Sequence, residues 1–327
     1  MKTSFMVWLI ASSLAANCTN AFADPEIVVA IRYLKAQGTS HAQLFLYRQD
    51  GHLLRQLTND NSGQSTNPRF APDGETIVFT RALGSATEYW SVEPRGGNLH
   101  RLPSAPDWYD QKNDASFFTN LEDESEPSAD APSDDQKPLV FTSPDGSMQL
   151  ILRETKDEDD EINGPGHGKH YQLRDTASGK TTEFETIPGF EGAFEILHRS
   201  LDKEQRFLIQ PPLRIAFFGL HLDSSSGDTC YALDLSGPRF IRLSPNWAAP
   251  VPLPGEPAFL TLTEVRYVQI PHSAKSANCS YMEHWDAGFH RIRYASEGAA
   301  LCYGASLYRP GMTPTVVSMR NFSGGED

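Results

Sequence analysis

Basic side chains are in short supply: 28 lysines and arginines face 42 aspartates and glutamates, for a formal net charge of −14. A surface of that sign repels nucleic acid and anionic lipid, both of which are bound through basic patches. Cysteine is scarcer still, with four in 327 residues. Cys18 falls in the amino-terminal segment. The other three, Cys230, Cys279 and Cys302, permit one disulfide with a thiol left over and do not fix which pair forms it. No two of them are close enough in sequence to read as zinc ligands. Beyond the amino terminus no apolar run approaches the roughly 20 residues of a membrane span. A G-x-S-x-G nucleophile elbow is missing, as is any sustained helical period.

What is present begins with an export signal. Lys2 gives a positive start, Met6 to Ala16 is a short apolar core, and Ala21-Phe22-Ala23 supplies small residues at both cleavage subsites. Cleavage is expected after Ala23, leaving a periplasmic or secreted protein from Asp24 onward. Asn17 is a poor residue to precede a lipidated cysteine, so Cys18 reads as part of the signal.

The rest of the chain consists of short β-branched and aromatic runs cut by Gly, Pro, Asp and Asn, which predicts an all-β protein. Examples are Ile27 to Tyr33, Gln43 to Tyr47, Thr76 to Thr80, Glu88 to Val92, Leu139 to Thr142, Gln149 to Leu152, Arg206 to Gln210, Phe259 to Val268 and Thr315 to Met319. Two stretches repeat one plan. Asn67 to Leu102 and Pro138 to Glu185 each read as a strand, a Pro-Asp-Gly turn, an apolar strand, and a further strand ending in a Gly-containing turn. The turns are Pro72-Asp73-Gly74 and Pro144-Asp145-Gly146. Proline presets φ, aspartate caps the turn, and glycine accepts a positive φ. Partial copies occur at Gln43 to Thr58 and Cys230 to Leu243, with a weaker one at Ala305 to Met319.

This pattern, an "LT" ending (Leu57-Thr58) followed by a Pro-Asp-Gly hairpin, resembles the repeat of TolB-like, or WD-like, β-propellers. The resemblance implies a propeller fold and an exported location, and it implies no chemistry, because these repeats carry packing and turns. A lone four-stranded blade cannot bury both faces, so blades stack around an axis. At roughly 40 to 50 residues per blade, the chain from residue 24 to 327 is expected to form one domain of six blades of four antiparallel strands, with five or seven also fitting. Blades are expected to begin near Ile27, Asn67, Pro138, Phe194, Glu256 and Ala299. The first and last are incomplete, as ring closure by strand sharing between the termini requires. A pair of β-sandwiches is the competing architecture.

Two segments depart from the repeat. Ser104 to Lys137 is an acidic insertion, and Lys156 to His170 interrupts the third blade between its second and third strands. Within them, Asp157 to Glu161 lacks the spacing of a calcium loop and reads as a solvated tip. His167 and His170 lack a third metal ligand. His284 and His290 beside Glu283 and Asp286 offer either an acid–base pair or structural hydrogen bonds. Among the aromatics, Trp90 is expected to pack between blades, with Trp285 and Tyr303 as further candidates for stacking. Trp108 and Tyr109, in a loop, are the residues expected to face a ligand. No cofactor or metal is expected. These features point to a non-enzymatic module that binds a protein or peptide. The alternative is a carbohydrate-binding or carbohydrate-active propeller with a central-channel site.

Overall fold

The computed structural model describes residues 25–61, 63–109, 139–142, 146–154, 169–188, 214–218, 231–235, 237, 239–243, 246–295 and 298–317. The strands, in chain order, are β1 (Glu26–Tyr33), β2 (Gln43–Arg48), β3 (Leu53–Gln56), β4 (Gln64–Phe70), β5 (Ile77–Leu83), β6 (Ala86–Val92) and β7 (His100–Leu102). Next come β8 (Leu139–Thr142), β9 (Met148–Glu154), β10 (Lys169–Asp175), β11 (Thr181–Glu183), β12 (Ile215–Phe218), β13 (Tyr231–Asp234) and β14 (Arg239–Arg242). The last are β15 (Asn246–Pro252), β16 (Ala258–Gln269), β17 (Ser276–Asp286), β18 (Arg291–Arg293), β19 (Ala300–Tyr308) and β20 (Thr315–Val317).

The protein is all-β. Sheets II (β4 to β7), III (β8 to β11), IV (β12 to β14) and V (β15 to β18) are antiparallel meanders in which each strand pairs with its neighbour in sequence. Sheet I breaks that rule, with the order β20-β19-β1-β2-β3. There β1 lies between strands from opposite ends of the chain, Val28 facing both Leu46 and Ser306. The expected sharing of one sheet by the two termini is therefore present.

Sheet I also shows why β1 reads as an unbroken apolar run instead of an alternating one. Ile27, Val29 and Ile31 pack with Leu260, Leu262 and Tyr281 of sheet V. Val28 and Ala30, which point the other way, pack with Phe70, Ile77 and Phe79 of sheet II. A strand buried on both faces has no solvent side to make polar. Sheet IV joins sheet V through Ile215, Ala232, Leu243 and Phe259, and Arg214 beside it reaches Asp175 of sheet III at 3.9 Å. Sheet I thus packs on sheets II and V, sheet V packs on IV, and IV reaches III; successive antiparallel sheets with a first sheet that takes strands from both ends of the series are the arrangement of a β-propeller.

The "LT" ending has a physical role here. Thr58 Oγ1 accepts from the Leu44 amide at 2.9 Å and donates to Gln43 Oε1 at 2.7 Å, while Leu57 is buried. Gln43 in turn donates to the Asp60 carbonyl and accepts from the Asp60 amide. The pair thereby ties the exit of sheet I to the strand it leaves. Segment 155–168 lies between β9 and β10, the second and third strands of sheet III, and is outside the described residues, as are residues 110–138.

Candidate groove at the junction of sheets I and II

The first Pro-Asp-Gly turn joins β4 to β5. Asp73 Oδ1 accepts from the Glu75 amide at 2.9 Å, and the Gly74 amide donates to the Ala71 carbonyl at 2.9 Å. Gly74 has φ +75°. Glycine is required here on a second count: a Cβ at this position would lie 2.1 Å from the ring of Tyr308. That ring, from β19 in sheet I, tilts against Phe70 with centroids 5.5 Å apart, and its hydroxyl donates to the Asp73 carbonyl at 2.8 Å. Sheet I therefore clamps the turn of sheet II.

Around this clamp lie two concavities. One, of about 330 Å³, is lined by Asn98, His100 and Trp108 among others; the second, of about 580 Å³, is lined by Glu26, Arg55, Arg95 and Tyr308. Both are bordered by Thr76 and Glu93, but the smaller lies on the face of sheet II that carries Val78 and Ser91, opposite to Ile77 and Phe79, and the larger opens as a groove on the side of sheet I. Its rim comes from the turn after β6, where Gly96 and Asn98 both adopt positive φ. Burial pushes the carboxyl of Glu26 above its ordinary range, opposed by the nearby Arg55 guanidinium. Arg55 donates from Nη1 to the Arg95 carbonyl, linking the walls.

One pair in the smaller cavity invites a catalytic reading. Ser91 and His100 face each other across β6 and β7. The Ser91 hydroxyl lies 3.3 Å from Nδ1 and 3.2 Å from Nε2 of the ring. An oxygen equidistant from both nitrogens is aligned with the lone pair of neither, so it is poorly placed to pass a proton to the ring. Nδ1 instead lies 2.8 Å from the Asn98 carbonyl. The arrangement offers hydrogen-bonding groups rather than a nucleophile.

The two loop aromatics separate. Trp108 lines the smaller cavity. Tyr109 is buried, its hydroxyl donating to the Asn67 carbonyl at 2.6 Å, its ring edge-on to Tyr89 and beneath the Arg69 guanidinium. Trp90 packs against the core between sheets I and II, Tyr303 packs against the same cluster, and Trp285 stacks on Phe259. Cys279 and Cys302 are buried and unbonded to each other, and burial pushes the Cys302 thiol up to about 12. Cys230, His167 and the run from Asp157 to Glu161 lie outside the described residues, and the backbone of His170 lies in β10 opposite Arg153.

A second polar cluster sits where sheets I and V meet. Gln49, after β2, accepts from Arg309 at 3.4 Å and donates to Glu256 at 2.8 Å, with His284 Nε2 3.0 Å from the same amide nitrogen. Arg309 also pairs with Glu256. Because the amide donates toward Nε2, the ring proton belongs on Nδ1, which is buried without a partner among the described residues. Burial holds the His284 pKa below its ordinary value, with Asp286 partly offsetting it. Next to it Glu283, almost fully buried, receives Arg293 at 2.6 Å and Arg291 at 3.4 Å, while His290 and Asp286 pair at 2.9 Å. Sequence reasoning singled out His284 and His290 but missed Gln49, Glu256 and Arg309. Gln49 and Glu256 lie 207 positions apart, and no local pattern links them. Among the described residues no three His, Cys, Asp or Glu side chains gather as a metal site, and no helix is long and apolar enough to cross a membrane.

No family profile matches the sequence, and no curated protein matches it. Solved structures do. A TolB candidate from Agrobacterium tumefaciens is 10% identical with a TM-score of 0.21, over 87% of this chain and 97% of its own. A candidate 6-phosphogluconolactonase from Bacteroides fragilis NCTC 9343 is 9% identical with a TM-score of 0.32, over 86% and 98%. The tricorn protease is 12% identical with a TM-score of 0.20 over 92% of this chain, which spans only 26% of that protein. At these scores the likeness adds nothing to what the strand order shows: successive antiparallel sheets, closed by both termini, in a β-propeller-like fold.

Proposed function

We propose that this chain is an exported, TolB-like binding module that holds an extended stretch of protein or peptide over the end of sheet II, across the two cavities bordered by Thr76 and Glu93, without acting on it chemically. The observation that carries this reading is that the two cavities share a border at Thr76 and Glu93. A chain crossing that border would meet the clamped turn at Asp73 to Glu75 and the turn after β6 at Glu93 to Asn98. Two neighbouring hollows on rigid elements suit an extended chain better than a compact metabolite. Export rests on the signal from Met1 to Ala23, which would deliver the protein to the periplasm or the exterior.

The test is selection of binders from a displayed library of random peptides, followed by affinity measurement with Trp108→Ala and Glu93→Arg. Both substitutions are expected to weaken the selected peptides at least tenfold while leaving unfolding unchanged. Binders indifferent to both substitutions would place the interaction elsewhere, and cleavage of the peptides would overturn the non-enzymatic reading.

One observation favours a second reading, a saccharide ligand. Trp108 lines the smaller cavity together with Asn98 and His100, and an aromatic face beside polar side chains suits a sugar ring. An oligosaccharide that raises the melting temperature of the wild type but not of Trp108→Ala would establish it.

A further inference from the structure

The two cavities at the end of sheet II differ in the charges that line them. The larger has Arg55 and Arg95 beside Glu26, so guanidinium and carboxylate face one space. The smaller, of about 330 Å³, has Asp73 and Glu93 in its lining and, among the described residues, no lysine or arginine. Neither carboxylate is held in an ion pair among the described residues. Asp73 accepts from the Glu75 amide through Oδ1, and Glu93 Oε2 lies 3.2 Å from where a Cβ would stand at Gly97. Each acid thus sits at a turn on the edge of the sheet.

The wall below them is apolar. Val78 and Leu102 belong to the face of sheet II that carries Ser91 and His100, and both line the cavity. An aliphatic wall that ends in carboxylates matches a side chain with an aliphatic stem and a cationic tip. The Trp108 ring completes the lining. Its neighbour Tyr109 is fixed twice, its amide donating to the Pro106 carbonyl at 2.9 Å and its hydroxyl to the Asn67 carbonyl at 2.6 Å. Tyr109 is buried and Trp108 half-buried, so anchoring the one holds the other at the cavity. An indole face attracts an ammonium or a guanidinium. Arg69 lies over the Tyr109 ring, 5.2 Å from its centre, and is not in the cavity lining.

We propose that the smaller cavity selects a lysine or arginine side chain of the bound chain, its stem along Val78 and Leu102 and its cation shared by Asp73, Glu93 and the Trp108 face. This rests on the reading of the protein as a peptide binder and adds the residue type that sets the peptide's register. The net charge of −14 favours the same partner over a longer range.

Three capped pentapeptides test it, with glycine at every position except the centre, which is lysine, norleucine or glutamate. Each is titrated at constant ionic strength while Tm is followed. The lysine peptide is expected to half-saturate at a concentration about tenfold below the norleucine peptide, and the glutamate peptide to give no saturable rise. Asp73→Asn keeps an oxygen to cap the turn. Combined with Glu93→Gln it removes both charges, and the preference for lysine over norleucine is expected to vanish, whereas damage to the fold would weaken both peptides alike. Trp108→Leu should weaken the lysine peptide about threefold. Asp50→Asn removes a charge outside the cavity and should change nothing. Butylammonium carries the same chemistry without a chain and should respond more weakly than the lysine peptide; an equal response overturns a chain as the source. No saturable rise with the lysine peptide, equal half-saturation by lysine and norleucine, or a preference that survives the double substitution overturns the proposal. So does an equal loss in Asp50→Asn, which would make net charge the cause. The peptide-binding reading fails separately. A displayed library without binders, beside a saturating lysine pentapeptide, would sink that reading and leave the cation pocket. Library binders that lack lysine and arginine yet are weakened by Trp108→Ala would sink the pocket and leave peptide binding.

Discussion

The chain carries Pro-Asp-Gly twice, and the two glycines sit in different surroundings, Pro144 and Asp145 of the second copy lying outside the described residues. Gly74 and Gly146 share a positive φ, +75° and +69°. A side chain at Gly74 would collide with the Tyr308 ring, whereas among the described residues nothing lies within 4 Å of where a Cβ would stand at Gly146. The first turn is gripped by a strand from the other end of the chain. The second is held from within its own sheet, where Thr176 Oγ1 donates to the Gly146 carbonyl at 2.8 Å. A repeated motif thus specifies a backbone shape, and the partner that reads that shape is added separately. Among the described residues that partner, Tyr308, comes from the sheet where the two termini meet.

The most forceful way to break this comparison is to put a methyl group on each glycine. Forcing an L-residue into the left-handed region costs about 1–2 kcal/mol, and this is the whole expected cost of Gly146→Ala. Gly74→Ala adds an overpacking cost of about 1–3 kcal/mol, for a total of about 2–5 kcal/mol by chemical denaturation. In a Tyr308→Ala background the extra cost vanishes and Gly74→Ala behaves like Gly146→Ala. That coupling is read from a double-mutant cycle. Equal costs at the two glycines in the wild type would refute the clamp.

The contrast also shows where sequence reasoning ends. The turn itself was legible because proline, aspartate and glycine each act on their own backbone, and β1 was legible because a run buried on both faces is apolar throughout. Tyr308 was not legible as the partner of Asp73, 235 positions away, since no local rule connects them. The same limit applies to Trp108 and Tyr109, which looked alike as loop aromatics. One lines a cavity and the other is buried on the Asn67 carbonyl. Adjacent side chains leave the backbone in different directions, and only packing decides which one meets solvent. Ser91 and His100 became neighbours through strand register.

Acid sharpens the comparison by acting on the other junction of sheet I. His284 faces Gln49, Glu256 and Arg309, with Asp286 two residues along its own strand. Burial lowers its pKa from the ordinary 6.5, so the folded protein resists a proton that the unfolded chain accepts. Its contribution to stability is present above pH about 6.5 and is lost as pH falls from there toward the folded-state value. The steepest slope is about 1.4 kcal/mol per pH unit for a single proton. The difference between wild type and His284→Gln, measured by denaturant unfolding between about pH 7.5 and 5.5, should shift in that direction. The offset between Gly74→Ala and Gly146→Ala is steric and should not move over the same range. If it tracks pH as well, the two junctions of sheet I are not independent.

The finest distinction concerns what grips the first turn, the ring of Tyr308 or its hydroxyl. Tyr308→Phe removes only the bond to the Asp73 carbonyl and is expected to cost about 0.5–1 kcal/mol. Thr176→Val keeps the branched shape and removes the bonds to the Gly146 and Ser147 carbonyls at 2.8 and 3.0 Å. That site is exposed, where water replaces a lost donor, so its cost should stay within about 0.5 kcal/mol. A small effect of Tyr308→Phe beside a large effect of Gly74→Ala assigns the grip to the ring. The clamp is then a matter of shape, and the hydroxyl sets only the angle at which the ring meets the turn. Were Tyr308→Phe to cost as much as Gly74→Ala, the hydrogen bond would be the grip, and glycine would be required at position 74 by its φ alone.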